Sequence, residues 1–154
     1  MELVSVKDEL YKLVLEQPFT TEAFFALVET TASAVAVSEK YWQAHGLNGA
    51  RVRILVEIAK HGGSMLPSEL AEKIGVTKAN ITLLLAPLEK ESYIVRTGHA
   101  EDGRKTVITI TEQAEALLLE HLPDNRLAVA ERMSRLDEQE LRQLMLLLGK
   151  LNQA

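Results

Sequence analysis

The sequence predicts a mainly α-helical fold carrying one small β-hairpin, and three observations lead there. Apolar residues recur at helical spacing over most of the chain, and strict alternation is confined to two short runs, around Tyr93–Val95 and Val107–Ile110. Directly before that alternation stand a short helix, a glycine and a second helix. With 154 residues, 47% of them hydrophobic, the chain can close one core without a metal or a disulfide.

The elements follow in order. Leu10, Leu13 and Val14 mark a first helical run, closed by Pro18. Phe24, Leu27, Val28, Ala32 and Val35 mark a second, with Thr20 or Thr21 as its N-cap and His45-Gly46 as its stop. A helix of that length in a small protein needs a partner along it, and a second chain would supply one. Asn48 caps a helix running to Lys60, with Val52, Leu55, Val56 and Ala59 as its stripe, widened by Ile58. His61, Gly62 and Gly63 end it, and Ser64 beside Gly63 reads as part of a turn.

After Pro67, Ser68 is the cap expected for a short helix, Glu69 to Ile74, that turns Leu70, Ala71 and Ile74 inward. Gly75 supplies the left-handed residue that closes it. Thr77 then caps a helix from Lys78 to Lys90 with Ile81, Leu84, Leu85 and Leu88 inward, which is helix-turn-helix spacing. Two strands follow: Tyr93, Val95, Val107 and Thr109 line one face, and Ile94, Ile108 and Ile110 line the other. The polar loop Gly98 to Lys105 joins them as a wing, too long for a two-residue turn. Thr111 caps the next helix, which Pro123 kinks or ends before a run resumes from Asn125 to Arg135. Asp137 and Glu140 form a capping box ahead of a last helix bearing Leu141, Leu144, Met145, Leu148 and Leu151.

Composition narrows the chemistry. Zero cysteines exclude thiolate catalysis, disulfides and cysteine-based metal or redox sites in this chain. His45, His61, His99 and His121 lack the close spacing of zinc ligands, so no metal and no cofactor are expected. No phosphate-binding glycine loop, GxSxG elbow or HExxH pair is present, and an enzyme is not expected. No run approaches the length needed to cross a bilayer, and the amino terminus lacks a secretory pattern, so the expected location is cytoplasmic.

Net charge is −5, which by itself disfavours a nucleic-acid partner. Between Ser68 and Lys105, however, the basic residues Lys73, Lys78, Lys90, Arg96, Arg104 and Lys105 balance an equal number of acids, so the acidity belongs to the flanks. From Thr77 through Leu88 there is one basic residue and no acidic one. Thr77, Lys78, Asn80 and Thr82 are the small polar and basic types whose hydrogen-bonding groups match base edges in a major groove. In the hairpin loop, Arg104 and Lys105 are candidates for minor-groove or phosphate contact, Asp102 can hold the Arg104 guanidinium, and His99 either touches the backbone or is solvated.

Taken together, the run from Leu70 to Thr82, then Leu88-Glu89-Lys90, Tyr93-Ile94-Val95-Arg96, Glu101-Asp102-Gly103-Arg104 and Ile108-Thr109-Ile110-Thr111 resembles the MarR family of winged helix-turn-helix transcriptional regulators. The resemblance spans residues 20 to 151. It implies a homodimer whose terminal helices, residues 1–45 and 112–154, form a dimerisation region, with residues 47–111 as a winged helix-turn-helix DNA-binding domain. It further implies a repressor that covers an approximately palindromic operator in double-stranded DNA. A small aromatic ligand between the winged lobe and the dimerising helices is also implied, with Tyr41, Trp42, His45 and Arg53 as candidate pocket residues; Trp42 fits a core position equally well.

The chain also departs from the family pattern. Gly103 stands where a first wing arginine is usual, and Pro87 stands where a late basic residue is usual, removing an amide bond and bending the recognition helix or loosening its end. Ser92 replaces the customary glycine before the strand, at a cost of about 1 kcal/mol if that turn is left-handed. Ala114 replaces a glycine after Thr111 and favours a regular helical turn. Acidity, Gly103 and Pro87 support a rival reading, a winged-helix module for protein association without sequence-specific DNA contact.

Overall fold

A computed structural model describes residues 5–98 and 106–153. In chain order the elements are α1 (Val6–Leu15), α2 (Phe19–Ala44), α3 (Gly49–Lys60), β1 (Ser64–Met65), α4 (Pro67–Ile74), α5 (Lys78–Lys90), β2 (Ile94–Gly98), β3 (Thr106–Ile110), α6 (Glu112–Met133) and α7 (Glu138–Leu151). The chain divides into two compact units, residues 1–36 and residues 37–154.

In the larger unit α3 is the central element, meeting α4, β1, β3 and α6. Val52, Ile54, Leu55 and Ile58 are buried on it, whereas Val56 is half-buried and Ala59 exposed. The expected stripe is therefore displaced: Ile54 lies off it and is fully buried, because a helix enclosed from several sides buries more than one face. Leu70 and Ala71 of α4, Ile81, Leu85 and Leu88 of α5, and Ile94, Ile108 and Ile110 of the strands complete this core with Ala114 and Leu118 of α6. Each large apolar side chain so buried contributes roughly 1.5–3 kcal/mol.

The sheet has three antiparallel strands in the order β1-β3-β2. Ile94 faces Ile110 and Arg96 faces Ile108 across β2 and β3, so the isoleucines share the inner face. Ser64 is a strand residue and not part of a turn: it pairs with Thr109, and the two hydroxyls meet at 2.8 Å. Two residues are too few to produce a legible alternation.

Several caps differ from expectation. α2 begins at Phe19, ahead of both threonines, and the amides of Thr21 and Glu22 donate to the Pro18 carbonyl. α4 begins at Pro67, the first-turn position its fixed φ suits, so the cap position is Leu66 and not Ser68; the Leu66 amide donates to the Glu69 carboxylate at 3.0 Å. α6 continues through Pro123 to Met133 as one helix, though the proline offers no amide to the Leu119 carbonyl. The Asp137–Glu140 box forms as expected, at 2.8 and 2.9 Å.

Candidate nucleic-acid interface

The turn between α4 and α5 fixes the presentation of α5. Gly75 takes φ 73°, and the Val76 amide donates to the Ala71 carbonyl at 3.0 Å, so the chain reverses within three residues. The Thr77 hydroxyl then accepts the Asn80 amide at 3.2 Å, which starts α5 at Lys78. Burial of Ile81, Leu85 and Leu88 fixes the rotation of the helix about its axis.

With that rotation Thr77, Lys78, Asn80 and Thr82 are all exposed. They do not have equal freedom. The Thr82 hydroxyl donates to the Lys78 carbonyl at 3.1 Å, so its proton is committed within the helix. Asn80 uses only its backbone amide in the cap, and its carboxamide bonds to no described side chain. The first turn holds no acidic residue, so the unpaired amides at the head of the helix face an unscreened positive dipole end.

Arg104, Lys105, Asp102 and His99 lie outside the described residues. The base of their hairpin is well fastened. Arg96 of β2 donates to Glu89 of α5 at 2.8 Å. Ser92 adopts φ 64°, the left-handed conformation in which its side chain is strained. One hydroxyl stabilises both this turn and the next helix: Thr111 donates to the Ser92 carbonyl at 2.7 Å and accepts the Ala114 amide at 3.2 Å. Ala114 is fully buried in the regular first turn of α6.

The candidate pocket residues separate. Tyr41, Trp42 and His45 form an aromatic cluster with His121 of α6, which the sequence offered no local signal to include. The Tyr41 phenol meets His121 Nδ1 at 3.2 Å, and the His45 and His121 rings stand 4.8 Å apart. Trp42 is buried in the core. Partial removal from water, then the Asp124 and Glu120 carboxylates, hold the Tyr41 phenol above its ordinary value of 10.0. Arg53 is exposed on α3. Instead Arg51 lines a cavity of about 530 Å³ with Leu47, Val52, Leu55, Leu88, Tyr93 and Gln113, where it faces Glu91 at 3.5 Å. Among the described residues no three His, Asp or Glu side chains gather as metal ligands.

Residues 45–105 match the pattern of the MarR family. The HTH-type transcriptional repressor YetL of Bacillus subtilis is 31% identical over 131 residues, covering 84% of this chain and 78% of the relative. The chain belongs to the MarR family. As a member it is a DNA-binding transcriptional regulator and not an enzyme. Solved structures share the fold. A mutant E. coli MarR in complex with operator DNA matches with a TM-score of 0.78 at 19% identity, over 85% of this chain and 94% of that one. The organohalide-sensing regulator RdhR-CbdbA1625, in its 2,4-dichlorophenol-bound form, matches with a TM-score of 0.81 at 18% identity, over 90% and 82%. No described helix of this MarR-family chain is long and apolar enough to cross a membrane.

Proposed function

We propose that the chain is a homodimeric repressor that covers an approximately palindromic operator and releases it when a small aromatic ligand binds. The observation that carries the DNA half is the outward face of α5: exposed Thr77, Lys78, Asn80 and Thr82 stand opposite a locked core, with no carboxylate before Glu89. In this reading the Asn80 carboxamide contacts a base edge, Lys78 and the free amides at the head of α5 meet phosphate, and Arg104 and Lys105, supported by Asp102, reach the minor groove or backbone.

Support for a dimer comes from residues 1–45 and 112–154, the proposed dimerisation region. Phe19, Phe24 and Phe25 of α2 are exposed, as are Met145, Leu146 and Leu151 of α7. Large apolar side chains left exposed on a helix in this way mark an interface. Two copies of segment 47–111, as DNA-binding domains, would then meet two half-sites about 34 to 36 Å apart.

For the ligand, the cavity beside Arg51 has the volume of a small-molecule site, and the phenol-bound relative supports a phenolic or aromatic acid. Arg51 then serves in the role first expected of Arg53, exchanging Glu91 for a ligand anion. Tyr41 and His45, joined by His121, form a separate polar aromatic group that a ligand of this kind could also meet, while Trp42 acts through packing.

Selection of bound duplexes from a random pool, with purified protein at physiological salt, tests the reading: a two-fold symmetric consensus is the expected product. Replacing Arg104 with alanine should weaken binding and lower its salt slope by about 2, one arginine being lost from each half of the dimer, whereas Asn80→Ala should change preference at one base position in each half-site. Unaltered binding by both variants would remove these assignments.

A further inference from the structure

The outer surface of α5 carries groups that hydrogen-bond readout does not use. Residues 79, 83, 86 and 90 are spaced three or four apart, so they share one helical face, opposite Ile81, Leu85 and Leu88. They are Ala79, Leu83, Ala86 and Lys90, all exposed, with Leu83 72% exposed. The middle of the presented surface is therefore a stripe of methyl and isobutyl groups. Lys78 and Thr82 stand on one flank and Asn80 on the other. Because the Thr82 proton is held by the Lys78 carbonyl, this residue too offers its methyl group more readily than a donor.

Leu83, 72% exposed, contributes little to the packing of the folded chain. In a major groove it meets a chemical match at one base alone, since only thymine presents a methyl group there. We propose that α5 reads thymine through contact of Leu83, flanked by Ala79 and Ala86, with thymine 5-methyl groups. The inference rests on the assignment of α5 as the DNA reader. A protein partner suits the stripe less well. The stripe is bordered by the Lys78 ammonium, the Asn80 carboxamide and the free amides of the first turn, and no carboxylate precedes Glu89.

Replacing thymine with uracil deletes the methyl group and leaves the hydrogen-bonding edge intact, which isolates the contact. The probe is the duplex selected from a random pool, synthesised with thymine or with deoxyuridine at each half-site thymine. Burial of one methyl group corresponds to about a fourfold gain in affinity, so loss of one contact in each half-site should weaken wild-type binding about fifteenfold. In Leu83→Ala most of that penalty should vanish, with the salt slope unchanged because no charge is lost; Lys78→Ala, which removes one cation from each half of the dimer, should keep the penalty and lower the slope by about 2. Equal affinity of wild type for the two duplexes, or an undiminished penalty in Leu83→Ala, overturns methyl reading while leaving α5 as the DNA reader. Failure to enrich any duplex overturns the DNA-reading assignment itself, and this inference with it.

Discussion

The lobe built on α3 and the helices near the chain ends use similar residues in opposite ways. Ile54, Ile58, Leu70, Leu85 and Ile108 are fully buried within the lobe. By contrast neither α1 nor α7 buries a single residue, although Leu10, Leu13 and Val14 of one and Leu146, Leu147 and Leu151 of the other are large and apolar. The first region satisfies its hydrophobic demand internally, so its shape is fixed by one chain. The second leaves that demand open, so its stability depends on what covers it.

The sharpest way to break this contrast is to damage the closed region. Ile54→Ala should destabilise the protein by about 2–5 kcal/mol in urea denaturation, and by the same amount at every protein concentration. A next, smaller effect is expected at the open region. Leu147→Asp should weaken self-association roughly ten- to hundredfold in sedimentation equilibrium, with little change in the unfolding of the lobe. Association of that variant as tight as the wild type's would show that Leu147 of α7 takes no part in covering the open region.

Two changes sharpen the comparison within the lobe. Thr111→Val removes the cap of α6 and the bond to Ser92, and should cost roughly 1–2 kcal/mol by thermal denaturation. Ser92→Gly relieves the left-handed strain and should raise stability by about 1 kcal/mol. The smallest effect is the pH dependence tied to Tyr41. Its phenol is held protonated above 10.0 in the folded chain, so the folded state keeps this proton where the unfolded chain has begun to lose it. The stabilising contribution is therefore complete below about pH 10 and declines as pH rises beyond it. Tyr41→Phe should flatten that decline in denaturation curves recorded on either side of pH 10.

Helix-turn-helix order, the Thr77 and Thr111 caps and the inner isoleucines of the hairpin were legible because each rests on local periodicity or on one capping residue. Ile54 was not, since an enclosed helix has no single stripe. The start of α4 falls before Ser68 because the fixed φ of Pro67 already suits the first helical turn, which leaves Ser68 inside the helix. Of the two outcomes expected at Pro123, a kink or an end, the structure removes the end, since the helix runs on to Met133. At the candidate site, Thr77, Lys78, Asn80 and Thr82 could be picked by residue type, and all four are exposed. The exposure of Leu83 has no such signal, because a leucine beside the inward Leu84 and Leu85 is not marked by residue type as a surface group. His121 could not be found at all, because it reaches Tyr41 across 80 positions of sequence.

The Thr111 hydroxyl ties the hairpin's root to the long helix through one oxygen atom. Since this atom both gives and receives a hydrogen bond, a pull on either partner strains the two bonds in concert. The start of α6 and the turn that opens β2 therefore share a single anchor, and displacing one of them loads the other.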